Sequence, residues 1–131
     1  MLECLILGDS IAVGTHLVGR PECVAYAKGG INSWQFNKLY PQSFGGNTVI
    51  ISLGSNDHKG VKTKKELLAI RKRVNAKKVY WILPAIKPDI QQIVEEVANA
   101  HGDWIIMIPY LQKDGIHPDT RGYKKIGEIT K

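Results

Sequence analysis

Ile6-Leu7-Gly8-Asp9-Ser10-Ile11-Ala12-Val13-Gly14 is the stretch on which the reading of the chain turns. An apolar run ends in a glycine, a serine follows two positions later, and a helical pattern comes after that. A buried strand is expected to end at Leu7, with Gly8 letting the backbone turn sharply. Ser10 then stands where the first helix begins, beside helix N-terminal amides that suit a developing negative charge. Two roles fit a serine there: it caps the helix, or it is a nucleophile. The stretch alone leaves both open.

Outward from it, the same alternation repeats. Residues 2–7 read as a strand and 11–18 as a helix, ended near Gly19 and Pro21. A second short strand spans 23–27, and a short helix lies within 31–40, stopped by Pro41. Gly45-Gly46-Asn47 reads as a turn. The clearest strand is 48–53, β-branched and apolar, followed by Gly54. Then come a basic helix over 63–74, a strand over 78–83 stopped by Pro84, and a helix over 88–101 with an apolar stripe at Ile90, Ile93, Val94 and Val97. A fifth strand covers 104–108, a loop covers 109–118, and Asp119 caps a last helix through Ile126 and Ile129. Strands apolar on both faces, alternating with helices, predict a parallel sheet covered on both sides. The expected architecture is α/β: one three-layer α/β/α, flavodoxin-like domain over 1–131, with a five-stranded parallel sheet in the order 2-1-3-4-5. The ligand site of such a sheet lies beyond the C-terminal strand ends where the order reverses, between strands 1 and 3.

Size and composition agree. A chain of 131 residues, 44% hydrophobic and 23% charged, suits one globular domain with a real core. It has no apolar run long enough to span a membrane, and Glu3 and Asp9 interrupt any signal-peptide pattern. A cytoplasmic or virion-associated protein is expected. Cys4 and Cys23 are too few for a disulfide framework and are expected as buried thiols. His16, His58, His101 and His117 are scattered, so no metal site and no cofactor is expected. The net charge is +6, with Lys59, Lys62, Lys64, Lys65, Arg71, Lys72, Arg73, Lys77 and Lys78 in one short span. A solvated helix face explains that span, and so does a patch for an anionic polymer. No aromatic interleaving or nucleic-acid motif accompanies it, which argues against a nucleic-acid partner. Trp81 and Trp104 fall within strand patterns and are expected in the core.

The strand ends carry the chemistry. They read Gly8-Asp9-Ser10, Gly29-Gly30, Gly54-Ser55-Asn56-Asp57 and, after the fifth strand, Asp114-Gly115-Ile116-His117-Pro118. Singly each is ordinary: a turn, a cap, a loop, an exposed histidine. Together, opening on one sheet edge, they supply a hydroxyl nucleophile, an imidazole base, a carboxylate to orient it and amides for an oxyanion.

In this order, and spanning nearly the whole chain, these four segments resemble the blocks of the SGNH (GDSL-type) hydrolases. The resemblance implies a serine esterase. In it Ser10 is the nucleophile, His117 the general base and Asp114 the carboxylate that orients it. The oxyanion donors would be the Ser10 and Gly30 backbone N–H groups and the Asn56 side-chain amide. Asp9 and Asp57 would support the site from behind. Trp34 and His58 follow the second and third blocks and are candidates to line the cleft, although Trp34 equally suits packing of the small helix. The chain is short for the family, which implies a shallow cleft, small acyl groups and an acetylated sugar among the candidate substrates. Two other classes compete: a catalytically inactive module on this fold that binds glycan or an anionic polymer, and a flavodoxin-like cofactor binder. Asp9 makes the first loop a poor phosphate cradle for the latter.

Overall fold

The computed structural model describes residues 2–131. Five strands, β1 (Leu2–Gly8), β2 (Val24–Ala27), β3 (Phe44–Ser52), β4 (Val74–Leu83) and β5 (Trp104–Met107), form one sheet in the order β2-β1-β3-β4-β5. Every neighbouring pair is parallel. The helices are α1 (Ser10–Gly14), which runs on as a π-helical turn (Thr15–Gly19), α2 (Ser33–Leu39), α3 (Thr63–Lys72), α4 (Pro88–Ala100) and α5 (Thr120–Ile129). No helix among the described residues is long and apolar enough to cross a membrane.

Alternation along the central strands sorts the core into two layers. Leu5, Leu7, Val49, Ile51, Val79 and Trp81 face Phe36 of α2, Leu67 and Ile70 of α3, and Ile90, Val94 and Val97 of α4. Cys4, Ile6, Ile50, Tyr80 and Ile82 face Ile11 and Ala12 of α1 and Ile126 of α5. Helices on both faces bury the sheet, and the order reverses between β1 and β3, as the strand pattern predicts. The register pairs Gly8 at the end of β1 with Ser52 at the end of β3. The two strand ends that flank the crevice are thereby level.

Several local expectations are corrected. Gly45-Gly46-Asn47 is not a turn but the start of β3, where Phe44, Gly45 and Gly46 pair with Val74, Asn75 and Ala76. A Cβ on Gly46 would press on the tip of the Leu5 side chain on the neighbouring strand. The basic helix stops at Lys72, and Val74 already belongs to β4. Cys4 and Cys23 are joined in a disulfide with their Cα atoms 4.9 Å apart. The β1–β2 register sets Leu5 against Val24, so the two preceding cysteines lie side by side. Trp81 is fully buried, but Trp104 is 62% exposed because β5 is a sheet edge.

Part of the basic span is spent on the fold. The Arg71 guanidinium donates to both Asp103 carboxylate oxygens at 2.7 and 3.0 Å. Arg73 donates to the Tyr40 and Gln42 carbonyls and to Asn37 Oδ1, fastening the turn before β3.

Candidate active site

The β1–α1 junction is built by backbone geometry. Gly8 has φ +143°, and a Cβ there would overlap the Ser52 carbonyl, so glycine is required on both counts. Asp9, not Ser10, caps α1: its Oδ1 accepts from the Ile11 N–H at 3.0 Å and from the Ser52 hydroxyl at 3.1 Å. The Asp9 N–H donates to the Ser52 carbonyl at 3.0 Å. With the capping role taken by its neighbour, the Ser10 side chain is free to face the crevice.

Ser10 Oγ lies 2.9 Å from His117 Nε2, and His117 Nδ1 lies 2.7 Å from Asp114 Oδ2. A carboxylate only accepts, so the proton sits on Nδ1 and leaves Nε2 as the acceptor for the serine hydroxyl. Asp114 and His117 reach the same place because their loop is curled and pinned. Leu111 bridges to Pro118, the Gln112 N–H donates to the His117 carbonyl at 2.8 Å, and the Asp119 N–H donates to the Tyr110 carbonyl at 2.8 Å. Asp114 Oδ1 accepts from the backbone N–H groups of Ile116 and His117 at 2.8 and 3.0 Å. Those two amides, then the His117 ring, pull the Asp114 carboxyl down to about 2, so it is ionised at neutral pH.

The second block stands opposite. A Cβ on Gly29 would sit 3.8 Å from Ser10 Cβ. Gly30 has φ +81°, with open space where a side chain would be. Its position is held by α2, whose cap Asn32 exchanges two hydrogen bonds with Gln35 at 2.8 and 2.9 Å. The third block is clamped from behind. The Asp57 carboxylate is buried and accepts from the Ser33 N–H at 2.9 Å, the Ser33 hydroxyl at 2.6 Å and the Thr63 hydroxyl at 2.8 Å. Asn56 Nδ2 donates one hydrogen to the Ile31 carbonyl at 2.9 Å. Its second hydrogen has no protein acceptor within bonding distance among the described residues.

Trp34 is half-exposed on α2, with the Lys38 ammonium 5.6 Å from the ring centre. Together with Lys28 and Ile31, beside the glycine pair, it borders an open groove of about 370 Å³. It does not pack the helix onto the core. His58 is exposed, and its Nδ1 accepts from the Gly60 N–H at 3.1 Å. It borders a different cleft of about 500 Å³ beside Lys87 and Asp89. His58 makes no hydrogen bond to Ser10 or His117.

Ser33, Thr63 and Tyr123 are among the residues around the site that a reading of the sequence does not single out. The first two look like ordinary helix starts. The Tyr123 ring packs on Gly14, and burial, then the charges of Asp9 and Asp114, push its phenol up. No group of three or more side chains able to hold a metal ion occurs among the described residues.

No protein-family model matches the chain, and no curated protein matches it. Solved structures do. A Streptococcus pneumoniae protein provisionally described as a platelet activating factor aligns with a TM-score of 0.61 at 15% identity, covering 97% of this chain and 81% of its own. The C-terminal catalytic domain of Streptococcus pneumoniae peptidoglycan O-acetyltransferase A, carrying a methylsulfonyl adduct, aligns with a TM-score of 0.57 at 15% identity, covering 98% of this chain and 88% of its own. At that identity the likeness is one of fold, a parallel α/β arrangement.

Proposed function

We propose that the protein is a serine esterase that removes small acyl groups, acetyl above all, through an acyl-enzyme, with O-acetylated carbohydrate as its substrate class. The observation that carries this reading is the unbroken hydrogen-bonded chain from Ser10 through His117 to Asp114, at the sheet's switch point. Ser10 Oγ attacks the ester carbonyl while His117 Nε2 takes its proton. The resulting oxyanion is met by the Ser10 and Gly30 N–H groups and by the free hydrogen of Asn56 Nδ2. Collapse breaks the bond to the alcohol, which leaves with the proton from His117. Water, deprotonated by the same imidazole, then attacks the acyl-serine; the bond to Ser10 Oγ breaks, His117 returns the proton to Oγ, and the carboxylic acid is released. Asp114 stays ionised throughout and stabilises the imidazolium formed in each half.

The neighbours lend support to the acyl group and the substrate class. One is an O-acetyltransferase of peptidoglycan, a carbohydrate polymer. The groove beside Trp34, with Lys28 and Lys38, offers an aromatic face of the kind on which a sugar ring stacks.

The test compares wild type with Ser10→Ala on p-nitrophenyl acetate and follows covalent labelling by a sulfonyl fluoride. Turnover in the wild type alone, with one sulfonyl group on Ser10 by mass spectrometry, is expected. Equal background rates in both proteins and no labelling would refute the reading.

A further inference from the structure

Lys87 lies outside all four strand-end blocks, yet it grips the third. Its ammonium donates to the Ser55 carbonyl at 2.8 Å and to the Asp57 carbonyl at 2.7 Å. These are the carbonyls of the two residues that flank Asn56. One cation therefore brackets the residue whose side chain is to meet the oxyanion. Both bonds are charge-assisted and directed at backbone, so they fix the path of the chain through Asn56.

The backbone at Lys87 indicates that this grip is specific. Lys87 has φ +62° and ψ +81°, a left-handed conformation that an L side chain with a Cβ seldom adopts. Pro88 follows it, at the start of α4, and restricts it further. Such strain persists where surrounding contacts over-determine it. The contacts here are the two carbonyls, reached across from the β4–α4 junction.

We infer that Lys87 is a positioning residue for the esterase reaction, setting the aim of the Asn56 amide into the oxyanion site through the carbonyls of Ser55 and Asp57. This rests on the proposed esterase reading. The Asn56 loop is then held from three directions: the Asp57 carboxylate by Ser33 and Thr63, Asn56 Nδ2 by the Ile31 carbonyl, and the backbone on both sides by Lys87. The turn closes on its own bond from the Asp57 N–H to the Gly54 carbonyl at 3.0 Å, and Lys87 adds the hold on the Ser55–Asn56 and Asp57–His58 peptides to either side. A donor misplaced by a fraction of an ångström matters because the oxyanion forms only in the transition state, so the loss falls on kcat and not on KM.

The experiment compares Lys87→Met, Lys87→Gly and Lys87→Arg, alone and with Asn56→Ala. Lys87→Met is expected to lower kcat by about 10- to 100-fold at nearly unchanged KM. Lys87→Gly relieves the backbone at φ +62° but removes the ammonium, so it shows the same defect while folding freely. Lys87→Arg, able to fork onto both carbonyls, restores most of the rate. In the Asn56→Ala background the Lys87 substitutions cost nothing further. Wild-type kcat in the Met and Gly variants, or a loss that adds fully to that of Asn56→Ala, would overturn the inference. A readout independent of turnover is the Asn56 side-chain amide in a 15N–1H spectrum. Its two protons should shift and exchange faster in Lys87→Met, and resonances that stay in place would equally overturn it. Failure of the esterase reading looks different: turnover survives in Ser10→Ala and Asn56→Ala has no effect.

Discussion

Asp9 shows how far one carboxylate's two oxygens can differ. Oδ1 is shared between the Ile11 N–H and the Ser52 hydroxyl, while Oδ2 is buried without a hydrogen-bond partner. Burial pushes the Asp9 carboxyl up to about 6, against the lowering effect of those bonds. The folded protein thus holds a proton there that the unfolded chain, with its ordinary value of 3.8, releases earlier. This group's stabilisation is complete below the unfolded value and is lost as pH rises through about 6, amounting to roughly 3 kcal/mol. The uncharged Asp9→Asn variant has no such dependence. Relative to wild type it should gain about 2.4 kcal/mol of unfolding free energy between pH 4 and pH 7.5 in urea titrations. A pH-independent difference would mean that the Asp9 carboxyl binds its proton no more tightly in the folded protein than in the unfolded chain. Asp9 also exemplifies a site residue only half legible in sequence. Its adjacency to Ser10 predicts support from behind, but its burial and its takeover of the helix cap depend on Ser52, which lies far along the chain.

Among the elements, the entry into β2 is the clearest departure from expectation. The disulfide closes a segment of sequence separation 19 and staples β1 to the start of β2. Next to it the buried Arg20 donates to Cys4 Sγ at 3.4 Å, to the Thr130 carbonyl at 2.7 Å and to Glu22 at 2.8 Å. One guanidinium thus joins the π-helical turn, β1 and the end of α5. Opening the bond releases loop entropy to the unfolded chain, so Cys4→Ala/Cys23→Ala should lose about 3 kcal/mol of unfolding free energy. A loss below about 1 kcal/mol would mean that Arg20 and the core hold this edge without it. Activity toward p-nitrophenyl acetate should survive in the folded variant, because the bond sits near the opposite end of β1 from Ser10. The cysteines were legible as buried but not as partners. Spacing along the chain does not reveal register between parallel strands, and it is register that makes them neighbours.

For the whole molecule, the crevice rim consists of the segments that follow the strands: Asp9, 28–32, 53–62, 84–87 and 108–119. None of them carries a helix or strand of its own beyond a single bridge, so little is available to wall off a deep acyl tunnel. The expected chain-length profile does not rise. Octanoate should be hydrolysed no more efficiently than acetate in kcat/KM, since methylenes that find no apolar wall gain none of the about 0.8 kcal/mol apiece that burial would give. A profile that rises with chain length would point to an acyl groove formed on substrate binding. Within the basic span, Arg71 and Arg73 are committed to the fold and Lys64 pairs with Glu96 at 3.0 Å.

The sequence by itself determined the layered parallel sheet and its order, and it pointed to the edge on which Ser10, His117 and Asp114 come within hydrogen-bonding reach. Those features are written in local signals: apolar runs of strand length, helical stripes, and a glycine or polar residue at each strand's end. The tertiary structure alone decided what depends on contacts between distant segments. It chose Asp9 over Ser10 as the cap, paired Cys4 with Cys23, left Trp104 on an open edge and set Trp34 on an exposed groove. It also brought Lys87, in sequence only a lysine before a proline, onto the carbonyls that flank Asn56. Hydrophobic periodicity is a property of neighbours along the chain, whereas hydrogen bonds and covalent links across the sheet require register and the reach of side chains, which exist only once the layers have packed.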